Sequence, residues 1–321
     1  MSSISETADT TETTLNLHLP DTRPWWQVWA RHARNKPLGA IGAVFILILV
    51  VAAVFGQDIS IGGSTIVPGF SPYPASETDI INKLAAPSWP GHIAGTDSLG
   101  RDLFSRIIFG ARPAIVIGIV ATGLGILGGM VIGMTSAYAG GVTDLLLQRI
   151  SDAFQALPPL LLMMTLVTVL TPSMTTVILV IVIFLIPGTQ RVVRGTVFST
   201  LENTYIEAAR TIGAGPFRII TFHILPNIMA PILVIASVTI GGTILAEAAL
   251  SFLGLGANSA QNPTWGFILF EATQRGNLDR WPWLAITPGA AITLIVLAFN
   301  LLGDALRDVL DPRLRGTGAG A

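Results

Sequence analysis

The sequence predicts an all-α integral membrane protein with six transmembrane helices, and three observations predict it. Only 12% of the 321 residues are charged while 51% are hydrophobic, against about 25% charged in an ordinary soluble domain. Mean hydropathy is +0.67. Charge-free stretches recur at the length a bilayer demands: a hydrocarbon core of about 30 Å takes about 20 apolar residues in a helix.

Taken in order, residues 1–22 are rich in Ser and Thr with scattered acids. They lack the basic start and apolar run of a cleavable signal and read as a disordered tail. Segment 23–36 sets Trp25, Trp26 and Trp29 beside Arg23, Arg31, Arg34 and Lys36, the composition of an interfacial anchor ahead of a span. A nucleic-acid patch is excluded there, because an uncharged run begins at the next residue and the net charge is −1. The first helix is expected over 37–57, then a loop over 58–111. A core follows over 112–305: spans at 113–139, 224–246 and 283–303, and a charge-free run from Ala153 to Gln190. That run is too long for one crossing, and Thr171-Pro172-Ser173 divides it into two spans. Pro158-Pro159, Pro187 and Pro231 are expected near span ends, where a missing N–H is tolerated. Residues 306–321 form a tail.

Sidedness follows from Arg and Lys. With the N-terminus inside, twelve fall on the cytoplasmic side and six outside, so both termini are expected in the cytoplasm. A segment over 191–222 then lies inside, and a loop over 251–282 outside. Residues 95–112 read as a short amphipathic helix. The apolar turn Trp265–Phe270 is expected to lie on the outer membrane surface.

Several chemistries are excluded. There is no cysteine, hence no disulfide framework and no thiolate-held metal or cluster; the four histidines are scattered. Neither Lys36 nor Lys83 lies in a phosphate loop, so the chain itself hydrolyses no nucleotide, and no metal, cofactor or catalytic constellation is expected. The run GLGILG at 123–128 matches a dinucleotide fingerprint literally. No strand precedes it, and Gly125, Gly129 and Gly133 instead share one helix face suited to close packing.

The polar island Thr204–Pro226 stands apart. Thr204 and Glu207 have the spacing of a capping box, Gly213 fits the C′ position of a helix, and Gly215-Pro216 opens another with Pro216 at N1. On these residues alone the island is either a helix–Gly–helix connector or a surface offered to a partner.

Glu207-Ala208-Ala209, Gly213 and Leu225-Pro226 resemble the EAA signature of permease subunits of bacterial ABC importers, with His223 where the family usually has Ile. GTDSLGRDLFSRIIFGAR (95–112), EAALSFLGLG (247–256), PTWG (263–266) and LLGDALRDVLDPRLRG (301–316) resemble the C-type permease of dipeptide, oligopeptide and nickel importers. The resemblance covers about residues 25–316. It implies a type I importer fold in the bacterial inner membrane, pairing with a homologous B-type permease. It further implies two cytoplasmic ATP-binding subunits, which would use ATP and Mg, and an extracytoplasmic substrate-binding protein. Peptides are the implied cargo, with nickel, metal chelates or glutathione as alternatives. In this family the island is the coupling helix. Coupling is accordingly expected of Tyr205, Ile206, Glu207, Ala208, Ala209, Arg210, Gly213, Phe217, Leu225 and Pro226.

Other polar residues carry two readings each. Arg101 and Asp102 offer either a binding-protein contact or a local ion pair. Glu247 offers either a place on the translocation path or a solvated acid at the interface. Glu207 caps its helix, orients a partner, or both. A stand-alone secondary carrier is the rival class, but it would normally show paired intramembrane charges or inverted repeats, and neither is evident.

Overall fold

Length and apolarity decide the helices. The computed structural model describes residues 37–61, 64–256, 261–275 and 278–310; the tail and basic-aromatic segment expected over 1–36, and residues 311–321, lie outside them. In chain order the helices are α1 (Pro37–Phe55), α2 (Leu103–Ala139), α3 (Gly141–Gln155), α4 (Pro159–Leu170), α5 (Met174–Leu201), α6 (Thr204–Thr211), α7 (Pro216–Ile219), a π turn (Ile220–Ile224), α8 (Leu225–Phe252), α9 (Trp265–Arg275) and α10 (Trp283–Leu310). The long loop after α1 holds a small antiparallel hairpin, β1 (Ile59–Ile61) with β2 (Ser64–Val67). Among the described residues, five helical runs are long and apolar enough to cross a membrane: α1, α2, α5, α7 through α8, and α10. The α3–α4 pair, bent by 85°, makes the count six when taken together as one span.

Four helices run further than the charge pattern predicts, α10 among them, which continues past 303 to Leu310. The expected separate helix over 95–112 is instead a turn followed by the start of α2. Asp102 caps that start, its carboxylate accepting from the Ser105 N–H at 2.7 Å, and the helix continues through Pro113. A mid-helix proline strands the carbonyl four residues back; here that is Phe109, and the Gln57 side chain reaches it at 3.4 Å. α5 likewise passes Pro187 and the expected end at Gln190, continuing to Leu201. It can do so because Gln190 is fully buried and bonded to other side chains. The run ending in α8 starts at Pro216, not 224. Its π turn sits just before Pro226, where the chain has no N–H to donate, and Asn227 Nδ2 caps the His223 carbonyl at 2.6 Å.

The division at Thr171–Ser173 is found, with Ser173 capping α5. α4, at 12 residues, is about 18 Å long and cannot cross alone. The polar α3 completes it.

Side-chain size sets how closely the helices approach. A Cβ on Gly125 would fall 2.7 Å from the Leu185 Cβ, on Gly129 2.5 Å from the Thr189 Cβ, and on Gly133 2.7 Å from the Gln190 carbonyl. The α2–α5 contact therefore runs along the small face read from the sequence. Gly39 and Gly42 bring α1 equally close to Ala305 and Ala298 of α10. Thr122 and Thr243 share a buried hydrogen bond of 2.9 Å between α2 and α8.

Two apolar clusters mark the ends of the bundle. At the loop end, Leu103, Ala111, Ile244, Trp265, Ile268 and Leu284 pack together. At the other, Met130, Ala137, Val193, Val197, Ile206, Ile219 and Ile228 do so. The Trp265 turn, expected on the membrane surface, is the first turn of α9. Trp265, Ile268 and Ala272 are buried against protein, and Gly266 lets the α9 backbone sit directly on the Ala248 carbonyl.

Candidate functional site

The 204–226 island closes the end of the bundle opposite the loop. α6 begins at Thr204, with Asn203 in the cap position and no side-chain cap bond. The capping box is therefore not formed: Glu207 falls one residue too deep, at N4, and is exposed. The helix stop is as the sequence predicts. Gly213 has φ of 85°, the Ala214 N–H donates to the Ala209 carbonyl, and the Gly213 N–H to the Arg210 carbonyl, each at 3.0 Å. That double closure is a Schellman motif, which favours glycine at the left-handed position. Gly215 then caps α7, and Pro216 occupies its first turn.

Helical periodicity sorts the island into two faces. Ile206 is fully buried and Ala209 is 5% exposed, both turned toward α2 and α5; Ile219 and Ile224 continue that anchor. Ile206 and Ala209, expected in a docking contact, instead hold the island to its own bundle. Arg210 leans over the Tyr138 ring at the end of α2, 5.8 Å from its centroid. The outward face carries Tyr205, Ala208 and Phe217, with Phe217 78% exposed. Two further large apolar residues, Ile212 at 86% and Phe222 at 71% exposure, extend it. Sequence reading missed both, although Ile212 lies one residue before the helix-stopping glycine and on the face opposite Ile206. Phe217, Arg218, Phe222 and His223 line a groove there. Leu225 is half-buried and Pro226 exposed.

At the loop end a buried ionic group ties the start of α2 to α9. Asp97 Oδ2 accepts from Arg101 Nε and from Arg106 Nη1, each at 2.6 Å. Glu271 accepts from Arg101 Nη2 at 2.8 Å through both oxygens, and from Arg106 Nη2 at 2.7 Å. Charges balance, two against two, which is what permits their burial. Asp102 pairs with His92 Nδ1 at 2.9 Å. Of the two readings of Arg101 and Asp102, the structure displays the ion-paired one: both are buried, at 7% and 4% exposure. Their partners Asp97, Arg106 and Glu271 were not singled out, because nothing local in the sequence links position 97 to 271.

Glu247 is 2% exposed, so it is not the solvated acid of the interface reading. Ser251 Oγ donates to its Oε1 at 2.5 Å and the Thr264 hydroxyl joins from the residue before α9. Glu247 thus pins α9 onto α8.

A membrane bundle with an anchored island that shows an apolar face at one end is the build of a transport permease, and relatives agree. A family model described as binding-protein-dependent transport system inner membrane component matches residues 125–316. A second, described as the N-terminal TM domain of oligopeptide transport permease C, matches 23–87. The glutathione transport system permease protein GsiD of Pectobacterium atrosepticum is 39% identical over 292 residues, covering 91% of this chain and 92% of its own. Proteins of the same name from Escherichia coli and Shigella boydii are 40% identical over 294 residues, with coverage of 91% and 92%. The chain belongs to the family of binding-protein-dependent transport system inner membrane components. It is a multi-pass permease subunit of an ABC importer, of the branch that includes the dipeptide and oligopeptide permeases.

Proposed function

We propose that this chain forms, with a homologous B-type permease, the pathway for short peptides handed over by an extracytoplasmic binding protein. Of two cytoplasmic ATP-binding subunits, one would dock on the 204–226 island and the other on the B-type permease. The observation that carries this reading is the two-faced island: Ile206, Ala209 and Ile219 fix it to α2 and α5, while Tyr205, Ala208, Ile212, Phe217 and Phe222 remain outward. An ATPase groove closing on the outward face would displace α5 and α8 together, shifting the population between inward-open and outward-open arrangements. The excess of Arg and Lys, twelve to six, supports a cytoplasmic island and cytoplasmic termini. The resident chain needs no cofactor in this scheme; ATP and Mg belong to the partners. Glu207, freed from the capping box, takes an orienting role toward the ATPase.

The cargo is inferred from the company the chain keeps. One match is named for oligopeptide transport and the relatives for glutathione, itself a γ-linked tripeptide, so both point to short peptides.

The test compares Gly213→Asp with Gly213→Asn in the assembled transporter. A side chain at 213 meets nothing within 4 Å, so its structural cost is the left-handed φ alone, about 1 kcal/mol and least for Asn and Asp. Both variants should reach the membrane. The aspartate, placing charge beside the apolar docking face, should hydrolyse ATP without importing labelled peptide. Full import by Gly213→Asp would overturn the docking role.

A further inference from the structure

α3 is built inside out. Along it the inward positions recur at helical spacing, and three of the four are polar: Asp144, Gln148 and Ser151, with Leu147 between them. Apart from Leu147, its large aliphatic residues point away from the bundle, Val142 being 71% exposed, Leu145 53%, Leu146 58% and Ile150 57%. A soluble helix would bury the second set. Here hydrocarbon suits it, and the polar stripe must find partners within the protein.

Those partners lie on α2 and α5. Arg194 grips Asp144 through two bonds of 2.6 Å, the bidentate geometry that resists sliding. Ser136 Oγ donates to the same carboxylate at 2.5 Å. Gln148 and Gln190 exchange amide bonds at 3.2 and 3.3 Å, and Gln190 Nε2 donates to Ser151 Oγ at 3.0 Å. The ends of α3 are hinge-like. Gly140 and Gly141 both have positive φ, 62° and 54°, with open space around them. The 85° bend before Pro159 follows. A helix bounded by two bends is held on its inward side chiefly by directional bonds, with Leu147 and an edge-on contact of Phe154 with Phe184 of α5 beside them.

We propose that this polar seam is the joint through which α5 carries the bent α3–α4 arm during transport, with Asp144 and Arg194 as its positioning pair. Arg194 stands two turns ahead of the end of α5, beyond which the docking island begins at Thr204. Displacement of the island reaches Arg194 through continuous helix and passes to α3 through the carboxylate. The glycine pair and the Pro158–Pro159 bend let the arm swing as a unit. This inference rests on the docking reading of 204–226, since the joint passes on only what the island delivers.

Two measurements on the assembled transporter test it. In the first, Asp144→Asn and Arg194→Gln should lower peptide import by about tenfold or more, as expected when one partner of a bidentate, partly buried charge pair is removed. ATP hydrolysis should continue, and the swap Asp144→Arg with Arg194→Asp should recover a substantial part of the import. A merely structural role would lower assembly and hydrolysis together. In the second, the absence of native cysteine allows Gln148→Cys with Gln190→Cys to be bridged by a short bis-maleimide. A joint that moves as one piece tolerates the bridge, and import by bridged protein should match that of the unbridged variant. Loss of import on bridging would mean the seam opens during transport, which overturns the proposal. So would import unchanged within twofold in Asp144→Asn. If Gly213→Asp blocks import in the same preparations, the docking reading survives that failure; if it too imports normally, both fall.

Discussion

Replacing Glu271 by Gln should detach α9 from the start of α2. Glu271 accepts three charge-assisted bonds, two from Arg101 at 2.8 Å and one from Arg106 at 2.7 Å. Both guanidinium groups are nearly inaccessible, at 8% and 1% exposure. After substitution the single carboxylate of Asp97 faces both. At an effective dielectric near 20, a unit-charge pair about 4 Å apart is worth about 4 kcal/mol. Two such attractions go, and the repulsion between the arginines stays. The glutamine oxygen retains one acceptor and offsets part of this, so the net cost should fall near 3–5 kcal/mol, the usual range for breaking a buried pair. Hydrogen exchange of α9 amides reads this directly as a local opening. Protection should fall by about two orders of magnitude or more, at about 1.4 kcal/mol per tenfold. Adding Arg101→Gln to restore charge balance should recover much of the protection. Exchange within threefold of the parent in Glu271→Gln would refute the account of this cluster.

Other expectations concern packing. In Gly110→Ala the new methyl would lie 2.5 Å from Trp265 Cδ1 and 3.0 Å from the Pro263 carbonyl; overpacking of this kind costs about 1–3 kcal/mol, readable as a lower thermal midpoint in detergent and a shifted tryptophan emission. Gly129→Val should separate α2 from α5 and reduce accumulation in the membrane, whereas Gly123→Ala, which meets no neighbour within 4 Å, should accumulate normally. Trp265→Phe loses the indole bond to the Ile107 carbonyl, 2.9 Å long, and should cost about 1 kcal/mol with packing otherwise kept. Ser251→Ala leaves Glu247 with one hydroxyl fewer at 2% exposure and should destabilise the α8–α9 corner by about 1–3 kcal/mol, seen as faster exchange at Trp265–Phe267.

Much of the fold was legible because lipid imposes a simple rule: a charge-free run of sufficient length becomes a helix. That rule located α1, α10 and the division at Thr171–Ser173. It failed at helix ends, where charge was mistaken for a boundary. Arg191 and Arg194 sit inside α5 because Asp152 and Asp144 answer them from α3, a partnership 39 and 50 residues apart that no local pattern shows. Pro187 and Pro231, expected near span ends, lie inside α5 and α8 instead. In the island, the glycine stop was legible from backbone chemistry alone. Which residues face outward was not, because that depends on where α2 and α5 lie. Ile206 and Tyr205 are neighbours in the sequence, yet one is the anchor and the other is on the surface.

The length of α2 sets where the water begins. Its 37 residues measure about 56 Å, while a helix tilted by 40°, near the limit seen, needs only about 39 Å to cross 30 Å of hydrocarbon. Some 17 Å, about eleven residues, must therefore project beyond the acyl chains. Counted from Leu103, that stretch ends at Pro113, where the charge-free run starts. Arg106 rides about 10 Å ahead of that boundary, so the bilayer can thicken by several ångströms around α2 before its guanidinium meets oil, whereas Arg112 stands at the boundary itself.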